Sequence, residues 1–117
     1  MRLVASSRVL PRPLWNQWVD LGDGGCLICL DALWADAAMV HEVNGREYHA
    51  WGLTFDDMQA RHDRLVVAGM VVLHNSPTRL HRSGSTVLRE VEQTYLRYAG
   101  RGLPTGVRLV APPGNRA

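Results

Sequence analysis

The sequence predicts an α/β domain ordered β-β-β-α-β-α: a mixed β-sheet opened by a β-meander, spanned by a crossover helix and closed by a C-terminal helix. Three observations carry that expectation. The first half sets aromatic and β-branched runs against turn residues, above all Leu-Gly-Asp-Gly-Gly at 21–25, where Asp-Gly is a strong hairpin signal. The second half holds two stretches with apolar residues at three- and four-residue steps, the mark of amphipathic helices. Between those stretches lies the short apolar run 70–73. A strand, a helix and another strand in succession make a crossover unit whose two strands run parallel.

The elements follow in order. Residues 1–13 show little periodicity and are expected as a lead-in, with Pro11 and Pro13 forbidding a helix interior. Residues 14–19, with two tryptophans and a valine, form the first strand, and 26–34 the second. Ala35-Asp36-Ala37 turns the chain into a third strand over 38–44, and 45–53 is irregular. Thr54 can cap a helix whose first turn carries Asp56 and Asp57, where the helix dipole favours acids. Its apolar stripe is Phe55, Met58, His62, Leu65 and Val66, and Gly69 suits its C-terminal cap. Residues 70–73 are the fourth strand, and Ser76-Pro77-Thr78 breaks the chain. Ser83 or Ser85 caps the last helix, with Val87, Leu88, Val91, Tyr95 and Tyr98 on its apolar face and Gly100 and Gly102 at its end. The domain thus spans 14–99, and the Pro/Gly-rich residues 100–117 are expected as a loosely ordered tail.

Composition narrows the function classes. A chain of 117 residues, 46% apolar and 21% charged, fits one globular domain with a modest core. No apolar run reaches the ~18 residues of a membrane span, and no signal peptide is evident, so the cytoplasm is the expected address. The formal net charge of +2 does not by itself argue for nucleic acid. The basic residues are arginine rather than lysine, which suits bidentate phosphate contacts and equally fits a GC-rich codon preference. Cys26 and Cys29 form a CxxC on an apolar strand, where i and i+3 point to opposite faces. Two small buried core residues is therefore preferred over a zinc or redox pair.

The chemistry-bearing stretch is Glu42-Val43-Asn44-Gly45-Arg46-Glu47-Tyr48-His49, placed just after a buried-looking strand. If strands two and three join at a two-residue turn at Asp36-Ala37, paired positions sum to 73 and Asp31 falls opposite Glu42. Directly opposed side chains share a face with Cβ atoms about 4.5–5.5 Å apart. Two carboxylates that close need a proton or a cation between them, and Mg²⁺ is often held by one or two carboxylates. The alternative is a register slipped by one, or a solvated pair on an edge hairpin.

Asp31-x-x-Trp34, then Glu42-Val43-Asn44-Gly45-x-x-x-His49, then Arg61-x-x-x-Leu65-x-x-x-Gly69-x-x-Val72-Leu73 resembles the very short patch repair (Vsr)-like endonuclease domain of the PD-(D/E)xK nuclease superfamily. The resemblance covers roughly residues 10–79. It implies a restriction-endonuclease-like core and Mg²⁺-dependent (or Mn²⁺-dependent) hydrolysis of DNA phosphodiesters, the ion activating a bound water and neutralising phosphate charge. By position it implies Asp31 and Glu42 as metal ligands, the Val43 carbonyl as a third, and His49 near the scissile phosphate. Asn44 stands where close relatives carry an acid, and an amide still coordinates a hard cation.

Arg46, Arg61 and Arg64 are candidate phosphate contacts, with Arg61 and Arg64 able to share a helix face. Pairing of the two helical arginines with Asp57 and Asp63 on a solvated face is the competing reading. Tyr48 and Trp51 can stack on a base, though packing is preferred. His41 alternates to the face opposite Glu42 and is set aside, and His62 reads as a packed helix residue. Three functions remain open: a metal-dependent endonuclease, a silent nuclease-fold module that binds DNA or a protein, and a homodimer or interaction protein using short edge strands and the apolar face of the last helix.

Overall fold

The computed structural model describes residues 2–43, 52 and 54–114. Among them, a short helix α1 (Arg2–Ala5) is followed by strands β1 (Leu14–Asp20) and β2 (Ile28–Trp34). A 3₁₀ turn (Ala35–Ala37) leads to β3 (Met39–Val43), and helix α2 (Phe55–Val67) crosses to β4 (Val71–Asn75). Two further helices, α3 (Pro77–Arg82) and α4 (Gly84–Tyr98), precede a last strand, β5 (Arg108–Val110). The sheet runs β4-β3-β2-β1-β5. Its first three strands form the expected antiparallel meander, and β4 lies parallel to β3. An α/β fold with a mixed sheet is thereby shown. No helix among the described residues is long and apolar enough to cross a membrane.

Local chemistry sets the crossover helix. Thr54 accepts from the Asp57 amide and the Asp57 carboxylate accepts from the Thr54 amide, a reciprocal capping box. At the other end Gly69 N–H reaches Val66 O and Met70 N–H reaches Leu65 O, a Schellman closure. Gly69 adopts φ +97°, and a Cβ there would sit 3.0 Å from Pro104 Cγ, so glycine is required on two counts.

Two apolar clusters cover the two sheet faces. Val19, Ile28, Leu30, Leu33, Val40 and Met70 pack with Leu65 of α2. Ala32, Trp34 and Met39 pack with Val4 of α1 and with Val87 and Val91 of α4. Leu30 and Leu33 share one cluster while Ala32 and Trp34 share the other, so strict alternation along β2 breaks at Asp31. Trp15 pairs with Ala32 and Gln17 with Leu30, which sets Asn16 opposite Asp31. Asn16 has φ +50°, a left-handed conformation that asparagine tolerates better than most residues. The two strands therefore change faces together, and the register is kept.

Several expectations are corrected. Residues 100–117 are not a loose tail over their described part. Val107 is buried in the core, β5 pairs antiparallel with β1, and Arg101 donates to Ala37 O and Ala38 O. Two apolar residues, Leu109 and Val110, were too short a run to stand out among prolines and glycines. The lead-in is tied down as well, since Val4 is buried and the Trp34 indole N–H donates to Pro11 O. Ser76 and Pro77 do not merely break the chain; they cap and open α3, with Ser76 Oγ accepting from Arg79 N–H. The apolar stripe of the last helix is not a free docking face, because Val87 and Val91 are buried against the sheet. The cysteines are free thiols, Cys26 exposed and Cys29 half-buried, so they are not the buried core pair expected.

Candidate functional site

The pairs Ala32↔His41, Leu33↔Val40 and Trp34↔Met39 all sum to 73, so the expected hairpin register is present. The turn differs: a 3₁₀ turn with Ala38 at φ +49° makes it, rather than two residues. Continued outward, the register sets Asp31 against Glu42. At that point side chains take over from the ladder. Asp31 N–H donates to Glu42 Oε2 at 2.9 Å, and Val43 N–H donates to Asp31 Oδ2 at 2.8 Å. Each carboxylate thus accepts the partner strand's amide where the two strands part. Charge-assisted bonds of this kind are the stronger sort.

Glu42 is 1% exposed. Its side chain lies on the Val40 side of β3, which faces α2. Arg61 on α2 forms an ion pair with Glu42 Oε1 and also donates to Cys29 O at 2.6 Å. The guanidinium therefore fastens the helix to two strands. Burial pushes the Glu42 carboxyl above the ordinary carboxylate range, against the pull of Arg61 and the Asp31 amide. Arg64, one step further along the helix, grips Asp23 with two bonds of 2.8 and 2.9 Å and donates to Cys26 O at 2.9 Å. Arg61 and Arg64 were expected as phosphate contacts or as partners of Asp57 and Asp63. Both instead carry intramolecular bonds to the first hairpin, and neither guanidinium pairs with Asp57 or Asp63.

The opposite side of the fork holds a group that sequence reading set aside. His41 is 1% exposed, and it lines a cleft of about 400 Å³ together with Asp31, Val43, Trp15, Asn16 and Leu80. Its Nε2 lies 2.9 Å from Asn75 Nδ2, and Asn75 Oδ1 accepts from Arg79. The amide donates there, so His41 Nε2 accepts and the imidazole is neutral. Burial pushes its pKa down, which agrees. The face change at Asn16 and Asp31 is what lets Asp31 share this cleft with His41. Asp31 at the centre of β2, and His41 beside Glu42 on a short, otherwise apolar β3, were the signal available for it. Arg61 could also have been found: it stands four residues before Leu65, on the buried stripe, where a buried glutamate needs a cation.

His62 is half-buried but is not simply packed. Its Nδ1 lies 2.7 Å from His74 Nε2, and His74 is the register neighbour of Glu42 on β4. Asn44, Arg46 and His49, with Tyr48 and Trp51, lie outside the described residues.

Among the described residues, the arrangement around Asp31 and Glu42 does not fit a Mg²⁺ or Mn²⁺ ion. Glu42 Oε1 faces a guanidinium, Glu42 Oε2 and Asp31 Oδ2 face backbone amides, and the position a cation would take beside Glu42 is held by Arg61. Among the described residues there is no group of three histidine, cysteine or acidic side chains able to hold a metal. No family model, no curated protein and no solved structure matches this chain.

Proposed function

We propose that this chain is a nuclease-fold protein whose motif acids serve as a structural clip, and that it acts as a catalytically silent module that grips DNA. The observation that carries the reading is the burial of Glu42 against Arg61, which supplies internally the positive charge a metal would bring. Removing a buried acid's partner is costly, so such a pair tends to persist. For the DNA partner, Arg8, Arg12, Arg82, Arg89 and Arg97 support the reading, since all are exposed and their guanidinium groups form no hydrogen bond or ion pair with described residues. A guanidinium is well shaped for phosphate oxygens. Arg46 remains a candidate contact in this proposal.

Two measurements on the purified chain test it together. Fluorescence anisotropy with a short duplex should show binding that weakens steeply as salt rises. Plasmid DNA with Mg²⁺ or Mn²⁺ should stay intact. Metal-dependent nicking that disappears in Asp31→Ala would overturn the silent reading in favour of the endonuclease. No binding at low salt would remove DNA and leave a protein partner.

A further inference from the structure

We infer that α4 is the element that meets DNA, and that it docks in the major groove of a B-form duplex with Arg89 and Arg97 on phosphates and Gln93 on a base edge. The inference rests on the DNA reading above and narrows it to one face and one geometry. Val87, Val91, Tyr95 and Tyr98 turn one side of α4 to the sheet. At about 100° per residue, Thr86, Arg89, Gln93, Leu96 and Arg97 lie on average about 160° round the helix from them. These five form one outer stripe at three- and four-residue steps, and all are exposed. The stripe faces away from the sheet, so the sheet does not block its approach to a groove. A helix roughly 10–12 Å across fits the B-DNA major groove, which is about 12 Å wide.

The stripe carries two cations and no acid. The guanidinium groups of Arg89 and Arg97 form no hydrogen bond or ion pair with described residues. Both acids of α4 are engaged elsewhere. Glu90 borders the stripe and pairs with Arg79 at 3.0 Å, and Glu92 accepts from Ser7 Oγ at 2.6 Å. Residues 77–99 hold four arginines and two glutamates, so this segment carries the whole formal net charge of +2 and the rest of the chain is balanced. That favours α4 over the exposed arginines of the lead-in as the face that attracts a polyanion. Arg89 and Arg97 stand about 12 Å apart along the helix axis with Gln93 midway. Two guanidinium groups can thus hold the backbone while a carboxamide between them faces the bases. Glutamine pairs in two bonds with adenine N6 and N7. Leu96, a large apolar side chain left 63% exposed, supplies the apolar contact that a thymine methyl takes.

The test enriches binders for the full chain from a random duplex library and titrates the enriched duplex at stepped salt. A consensus containing an A·T pair should emerge. Arg89→Gln and Arg97→Gln should each lower the slope of log affinity against log salt by about 1. Arg108→Gln makes the same charge change on β5, the outer strand at the β1 end of the sheet, and should leave the slope as it is. Gln93→Ala should keep the slope but cut discrimination at one A·T pair by roughly 5- to 150-fold. Circular dichroism checks that each variant is folded. No binding by the unaltered chain at low salt would remove the DNA reading and this inference with it. Binding whose slope is unchanged in Arg89→Gln and Arg97→Gln would overturn docking by α4 alone and leave DNA to another face. Tighter binding to an A-form RNA duplex of the same sequence would overturn the groove geometry, because its major groove is too narrow for side chains to read. The absence of any consensus, or discrimination unaltered in Gln93→Ala, would overturn the base contact.

Discussion

The β2–β3 hairpin has two ends, and they are held in different ways. At the closed end Leu33, Trp34, Met39 and Val40 are paired through the backbone and buried on both faces. At the open end the strands part, and two carboxylates and a guanidinium do the joining. The apolar end is forgiving in kind, since each residue needs only volume and an apolar neighbour. The polar end is not, because each of its buried groups depends on one named partner. Mutations at the open end should therefore act in an all-or-none manner that depends on the partner left behind.

The largest effect is expected from Arg61→Ala. It leaves Glu42 buried without its cation and Cys29 O without a donor, and should cost about 3 kcal/mol of unfolding free energy, the lower end for a broken buried pair because Arg61 is partly exposed. Urea denaturation measures it. Glu42 can escape by taking a proton, so part of the loss should return at acid pH. Asp31→Ala comes next. It removes the acceptor of Val43 N–H but leaves the Asp31 amide to Glu42, and should cost about 1–3 kcal/mol. A cost for Asp31→Ala that exceeds that for Arg61→Ala would mean the fork is held by the strand-to-strand clip rather than by the helix.

The third expectation concerns pH. The folded pKa of Glu42 is raised above its ordinary value of 4.5. Between the unfolded and the folded value the native chain binds more protons than the unfolded one. This contribution is therefore fully present below pH 4.5 and is lost as pH rises through the folded pKa. Asp20, Asp23 and Asp57 behave in the opposite sense, held low by backbone amides and arginines, so their contribution is present above the ordinary 3.8 and is lost as pH falls through their depressed values. The two groups act in separate windows. Glu42→Gln should flatten the fall above pH 4.5 and leave the acid limb unchanged, as read from thermal melts at stepped pH. An unchanged alkaline limb would show that the slope arises elsewhere.

The sequence displayed the apolar end of the hairpin well and the polar end only in part. Capping at Thr54, the Gly69 closure and the parallel fourth strand follow from local chemistry and element order, and all are present; the 73-sum register is present too, though a 3₁₀ turn makes it rather than the two-residue turn assumed. The β5 strand was hidden because pairing with β1 across some ninety residues leaves no local mark. His41 does lie on the face opposite Glu42, as expected, but the cleft it shares with Asp31 was missed because period-two alternation was assumed through Asp31. A left-handed Asn16 on the neighbouring strand cannot be inferred from a hydropathy pattern. Arg61 was assigned outward to phosphate because its place on the Leu65 side of the helix was not weighed against the need of a buried Glu42 for a cation.

The smallest effect is the sharpest test of the comparison. Arg61 and Arg64 lie three residues apart on one helix, and both bond an acid and a backbone carbonyl of the first hairpin. Arg64 even makes the better-formed fork, with two nitrogens on the two oxygens of Asp23. What separates them is the acid: the Glu42 side chain is 1% exposed, that of Asp23 38%. Water can solvate Asp23 once Arg64 is gone, and it has no access to Glu42. Arg64→Ala should therefore cost roughly a tenth of Arg61→Ala, and most of that small cost should vanish in high salt. Urea denaturation of both variants at low and high salt makes the comparison. Equal costs would mean that bond count, not burial of the acid, governs how the helix is fastened to the sheet.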